Sequence, residues 1–158
     1  MAMEHLLAEV LANHFPNPPA TPAQIAAFEA RVGWTLDEQL RAFYLHCNGA
    51  ALFEAPPDMN YRILPLERIE RASFAIRGSE ADADGSASHF TLVDMQDTNF
   101  VIVDVATPVN GCYPLLDAFH ETYPDEAPCI ATSFEEFLEK ALHSGNRSFW
   151  LSSGSLEE

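Results

Sequence analysis

Four groupings of side chains in this sequence have types and spacing that bear on chemistry. Glu80-Ala81-Asp82-Ala83-Asp84-Gly85 sets carboxylates at alternate positions ahead of a glycine, as in the opening of an EF-hand calcium loop. The pattern then fails: the position that needs a bidentate Glu is Thr91, and the residues after it alternate like a strand. The segment therefore reads as an acidic loop. His46 and Cys47 are adjacent, so on a helix they point about 100° apart and form no nucleophile–base pair. Cys47 also falls on an apolar stripe, which makes it a core residue. The six histidines (5, 14, 46, 89, 120 and 143) lie far apart, with no HExxH between them. His89, His120-Glu121 and Asp94 are the set that could converge on a metal, but structural or surface roles suit them better. Asp94 and Asp97 flank a turn and Asp104 lies on the next strand, a pairing that so acidic a chain produces without any catalytic meaning. No GxSxG elbow and no phosphate-cradling glycine loop is present. The expectation is a protein with no catalytic residue, no metal and no cofactor.

The elements that position these residues follow from periodicity and capping signals. Leu6, Leu7, Val10, Leu11 and His14 make one stripe of a helix over residues 3–14. Prolines 16, 18, 19 and 22 end it in a stiff linker. Thr21-Pro22-Ala23-Gln24 is a capping box with Pro at the first helical position, followed by an inner face of Ile25, Phe28 and Val32 and a stop at Gly33. Thr35-Leu36-Asp37-Glu38 reads as a second capping box, opening a helix that buries Leu36, Leu40, Phe43, Tyr44 and Cys47 and ends at Asn48-Gly49. The loop after it, through Pro56 and Pro57, reads as irregular.

Beyond residue 60 the pattern changes. Residues 61–66 and 69–76 read as strand or turn. Residues 90–95 and 100–105 form a β-hairpin joined by 96–99, and Phe100-Val101-Ile102-Val103 reads as a strand covered on both faces. Residues 112–116 add another strand. Ser133, with Glu136 three residues on, caps a last helix whose apolar face is Phe134, Phe137, Leu138, Ala141 and Leu142. Helices, then strands, then a helix predict an α+β fold. Its central, mostly antiparallel sheet is flanked by N-terminal helices and a C-terminal helix. One domain spans residues 1–150, and 151–158 is a polar, disordered tail.

The 158 residues are 47% apolar, enough for one cored domain. Twenty-four acids against eight Lys and Arg give a net charge of −16, with Lys140 the single lysine. That balance excludes direct binding to nucleic acid phosphates and disfavours anionic membranes. No apolar run reaches the ~18 residues of a membrane span. Three cysteines without a CxxC pair, and an N-terminus lacking the basic region of a signal peptide, predict a cytoplasmic protein with reduced thiols. The acids are unevenly placed: residues 80–139 hold thirteen of them and no Lys or Arg. Either they form a solvated face that keeps the chain soluble, or they form a negative surface for a basic partner.

The stretch from Thr21 to Gly49 resembles the opening of the SUKH superfamily, the Smi–Knr-like domain. Ile25, Phe28, Glu29, Gly33, Leu36, Phe43, Tyr44, Asn48 and Gly49 match its pattern, while Asp37 stands where the family usually has Pro. Ile63-Leu64-Pro65-Leu66 with Ile69 is similar to its first strand and turn. Val101 to Val105 resembles its central strand ending in Asp, here Asp104, and Ser133 to Leu138 resembles its closing helix. The likeness spans residues 21–143 and leaves the first helix as an addition before the core. It implies an α+β fold without a shared catalytic site. Many bacterial members are immunity proteins against secreted nuclease or deaminase toxins of polymorphic or contact-dependent systems; others are interaction and regulatory proteins. The expected function is therefore a protein-binding domain that neutralises a basic, nucleic-acid-targeting toxin, with a general interaction module as the alternative. The expected partner-binding residues are Glu80, Asp82, Asp84, Asp94, Asp97 and Asp104.

Overall fold

The computed structural model describes residues 2–54, 60–78, 88–123 and 126–152. The chain starts with three helices. Helix α1 (Ala2–Asn13) buries Met3, Leu6, Leu7 and Val10. Leu11, expected on that stripe, is 49% exposed, and His14 has left the helix. The His14 ring instead accepts the Phe53 amide at Nδ1, 2.9 Å away. A two-residue strand, β1 (Phe15–Pro16), precedes α2 (Pro22–Val32). The capping box forms as read: Thr21 Oγ1 accepts the Gln24 amide at 3.1 Å, and Gln24 Oε1 accepts the Thr21 amide at 2.8 Å. Gly33 ends the helix in the left-handed conformation with φ 85°.

Helix α3 (Glu38–His46) corrects the second capping box. The cap is Asp37, not Thr35: its Oδ1 accepts the Leu40 amide at 2.8 Å while Oδ2 accepts the Tyr113 amide at 3.0 Å. Thr35 contributes its carbonyl, which accepts the Tyr113 hydroxyl at 2.8 Å. Two capping residues stood two positions apart, and the one with two carboxylate oxygens could serve both the helix and the segment leading into the strand at Leu115–Ala118.

The sheet has seven strands, every neighbouring pair antiparallel, in chain order from β1 to β7. After β1 come β2 (Ala50–Leu52), β3 (Tyr61–Ile63), β4 (His89–Asp94), β5 (Phe100–Asp104), β6 (Leu115–Ala118) and β7 (Cys129–Ala131). The β4–β5 hairpin lies where the sequence put it. Val101, Ile102 and Val103 are all buried, as a strand covered on both faces requires. Val101 and Val103 join the main core under the helices, whereas Ile102 packs on the other face with Ala72, Ala118 and Tyr123.

Other expectations shift. Residues 61–66 give only the short β3, followed by one 3-10 turn at Leu66–Arg68. Residues 69–76, read as strand or turn, contain helix α4 (Ala72–Arg77), which covers the Ile102 face. The strand expected at 112–116 runs from 115 to 118. Strands β1, β2 and β7 were not legible, being two or three residues long. Helix α5 (Phe134–Leu142) lays its five expected residues against the main core. Its cap Ser133 accepts the Glu136 amide at 3.1 Å, but Glu136 turns instead to the Thr132 amide at 2.8 Å. A short α6 (Phe149–Ser152) follows. Among the described residues no helix is long and apolar enough to cross a membrane.

Candidate partner-binding surface

The β4–β5 hairpin divides the expected binding residues between its two ends. Asp94 closes β4 at the turn end, beside Phe100 on one flanking strand and Arg62 on the other. Its Oδ1 accepts the Gln96 amide at 2.7 Å, which starts the turn. Gln96, Asp97 and Thr98 then follow with φ of 74°, 57° and 64°, three successive non-glycine residues in the left-handed region. Asp97 is exposed at the tip. Asn99 ties this tip to the turn after β6, because its Oδ1 accepts the His120 amide at 2.9 Å.

Asp104 sits at the opposite end of the hairpin, across from His89. Its carboxylate accepts the Ser88 hydroxyl at 2.7 Å and the Ala106 amide at 3.0 Å, and its second oxygen lies 3.7 Å from His89 Nε2. Burial alone would lift this carboxyl. The hydrogen bonds from Ser88 and Ala106, with His89 beside it, outweigh burial and hold it below its ordinary value. The structure therefore brings Asp94 and Asp97 together and keeps Asp104 apart, engaged within the fold. Glu80, Asp82 and Asp84, and the calcium-like segment they belong to, lie outside the described residues.

Beside the Asp97 tip opens a cavity of about 480 Å³. Met95, Phe119, Pro128 and Trp150 give it apolar walls, and Asp117 and Glu126 contribute carboxylates. Phe119 is 39% exposed. Asp117 lies on β6 with its amide bonded to the Pro128 carbonyl at 2.9 Å. Burial pushes its carboxyl up, partly offset by a hydrogen bond from the Trp150 indole. Asp117, Pro128 and Trp150 also border a larger groove of about 900 Å³, which runs along β7 to Lys140 and His143 on the α5 side. Lys140 is committed to Glu136 at 2.8 Å and lies 5.9 Å above the Phe149 ring. Sequence reasoning missed Asp117, Phe119 and Trp150 as surface-lining residues. The only signal that included Asp117 was its place in the base-free acidic stretch.

The nucleophile candidate resolves into core. Cys47 is 1% exposed, and burial pushes its thiol up to about 12, so it carries no thiolate at neutral pH. Among the described residues, no group of three or more His, Cys, Asp or Glu is placed to hold a metal ion.

The residues that carried the family resemblance converge on one junction. Tyr44 donates its buried hydroxyl to the Leu64 carbonyl at 2.6 Å. Asn48 Oδ1 accepts the Leu66 amide at 2.9 Å, and its Nδ2 donates to Glu67 at 3.1 Å. Glu29 accepts the Leu36 amide at 2.9 Å, and Arg31 donates to the Leu66 carbonyl at 2.8 Å. Gly49, with φ 91°, passes directly over the Ile63–Pro65 backbone. These side chains lock the helical pair α2–α3 to the β3 turn. The motif is thus architectural: its residues join the helices to the sheet. No curated protein matches the sequence. The family model of the SMI1 / KNR4 family matches residues 19–140, which leaves α1 before the matched span. The chain belongs to the SMI1 / KNR4 family (SUKH-1).

Proposed function

We propose that this protein is a non-catalytic binding domain acting as an immunity protein, neutralising a basic toxin that targets nucleic acid. The observation that carries the reading is the charge pattern: residues 80–139 hold thirteen acids and no Lys or Arg. A merely solvated surface mixes both signs. Toxins that cut or edit nucleic acid hold phosphates on Lys and Arg, and an acidic partner complements that surface. Such complementarity raises association rates to about 10⁸ M⁻¹s⁻¹ or more at low salt, falling steeply as salt rises. Apolar anchors supply most of the lasting affinity, and exposed Phe119 with Trp150 beside the acidic tip suits that role.

The test is protection. The basic C-terminal domain of a large secreted protein encoded beside this gene is expressed in a bacterial host with and without this chain. Rescue of growth supports immunity. Failure to rescue, together with capture of several regulatory proteins by the purified chain, favours the general interaction module instead.

A further inference from the structure

The Asp117 cavity differs from the rest of the acidic surface in shape and in chemistry. Asp117 stands half-buried against its apolar walls, and exposed Glu126 lines its rim. Among the described residues, no Lys or Arg lines it. Lys140, which borders the adjoining groove, is held by Glu136 and by the Phe149 ring. The Asp117 carboxylate accepts a hydrogen bond from the Trp150 indole N–H. A half-buried carboxylate beside aromatic rings, without a cation, complements a planar guanidinium. An Arg stem packs along apolar walls, its head stacks on a ring and it donates to carboxylates in a fork. About 480 Å³ is ample for one such side chain with its backbone.

We infer that this cavity is a socket for a single arginine side chain projecting from the basic protein partner, seated between Phe119 and Trp150 against Asp117 and Glu126. The inference rests on the protein-binding reading above and gives it an anchor. Exposed Asp97 and half-buried Asp94 steer the partner; the socket fixes its register. Arginine suits the site better than lysine, because two carboxylates and two rings match a flat, multivalent donor better than a point charge.

The experiment uses the whole chain labelled with ¹⁵N and the peptide acetyl-Gly-Gly-Arg-Gly-Gly-amide at low salt. Its counterpart carries citrulline, which keeps the shape and removes the charge. The expected result is a saturable shift of the Trp150 indole peak, assigned by its loss in Trp150→Phe, with the Asn99 and Phe119 amides moving in parallel. Citrulline, Asp117→Asn and Glu126→Gln each weaken binding by about fivefold or more. Glu38→Gln, which removes one charge elsewhere on the surface, leaves binding unchanged. Preserved spectra show that each variant is folded. A Trp150 peak that does not move, or equal weakening by Glu38→Gln, overturns the socket. Neither result touches the growth-rescue assay, which reads binding by the whole surface, so the two ideas fail separately.

Discussion

Gly49 and Ile63 are so close that a methyl group on Gly49 would lie 2.6 Å from the Ile63 carbonyl oxygen and 2.8 Å from the Pro65 nitrogen. Both obstacles are backbone atoms and cannot swing away, and φ at Gly49 is 91°, where a side chain adds strain of its own. Gly49→Ala therefore costs about 2–4 kcal/mol. Urea unfolding checks it: the midpoint should fall with the slope unchanged. A variant as stable as the parent would show that the junction between α3 and β3 is loose.

On the proposed function, the divided hairpin separates charge that steers a partner from charge that holds the fold. Asp94→Asn with Asp97→Asn should slow association with the basic partner and flatten its salt dependence, while the melting temperature stays within a few degrees. Asp104→Asn should do the reverse, because Asp104 holds Ser88 and the Ala106 amide within the fold. Stopped-flow association and thermal melts on the same variants decide between the two roles. Equal behaviour of all three positions would contradict the division.

Acid should weaken the anchorage of α1 through His14. Burial lowers the affinity of this ring for a proton, with Glu9, 3.9 Å away, only partly restoring it. Its Nδ1 must stay unprotonated to accept the Phe53 amide. Above the ordinary histidine value of about 6.5 the ring is neutral folded or unfolded, and its stabilising effect is complete. As pH drops below that value the unfolded chain takes up a proton more readily than the folded one, so stability falls. Melting temperatures from pH 8 to pH 5 should show this loss, and His14→Gln should remove part of the slope. An unchanged slope in the variant would assign the acid sensitivity elsewhere.

Thr98 carries the least tolerable of the three left-handed conformations at the hairpin tip, with φ 64° on a β-branched residue. Asn tolerates that region better. Thr98→Asn should stabilise the protein by up to about 1 kcal/mol. A rise in melting temperature without loss of toxin protection would show that the strain is not needed for binding. A rise accompanied by weaker protection would show that the strained shape of the tip is part of the interface.

The elements visible in the sequence were those long enough to repeat. The α2 box at Thr21 and Gln24, the stripe from Phe134 to Leu142 and the Phe100–Val103 run each signal several times over. Strands β1, β2 and β7 are too short for any period to register, and they exist because neighbours offer unpaired backbone. Helix α4 is six residues long, and its inner face is set by Ile102 across the sheet rather than by a periodic run. The candidate surface was legible only as charge. Asp94 and Asp97 could be placed at a turn, but the shared position of Asp117, Phe119 and Trp150 depends on β6, its following turn and α6 meeting in space. Trp34 shows the same limit: its ring packs at 5.3 Å from Phe90 and 5.6 Å from Tyr113, contacts between residues that are remote in sequence.

Strand neighbours follow chain order from β1 to β7, so on the ribosome each new strand emerges next to a partner that has already been made. The helix that closes over them comes after all seven. Until Phe134, Phe137 and Leu138 leave the exit tunnel, Ile63, Val93, Val101 and Leu115 present a sheet face without its full cover. Synthesis thus has a vulnerable interval before α5 emerges, in which the uncovered sheet face is apolar surface of the kind chaperones hold.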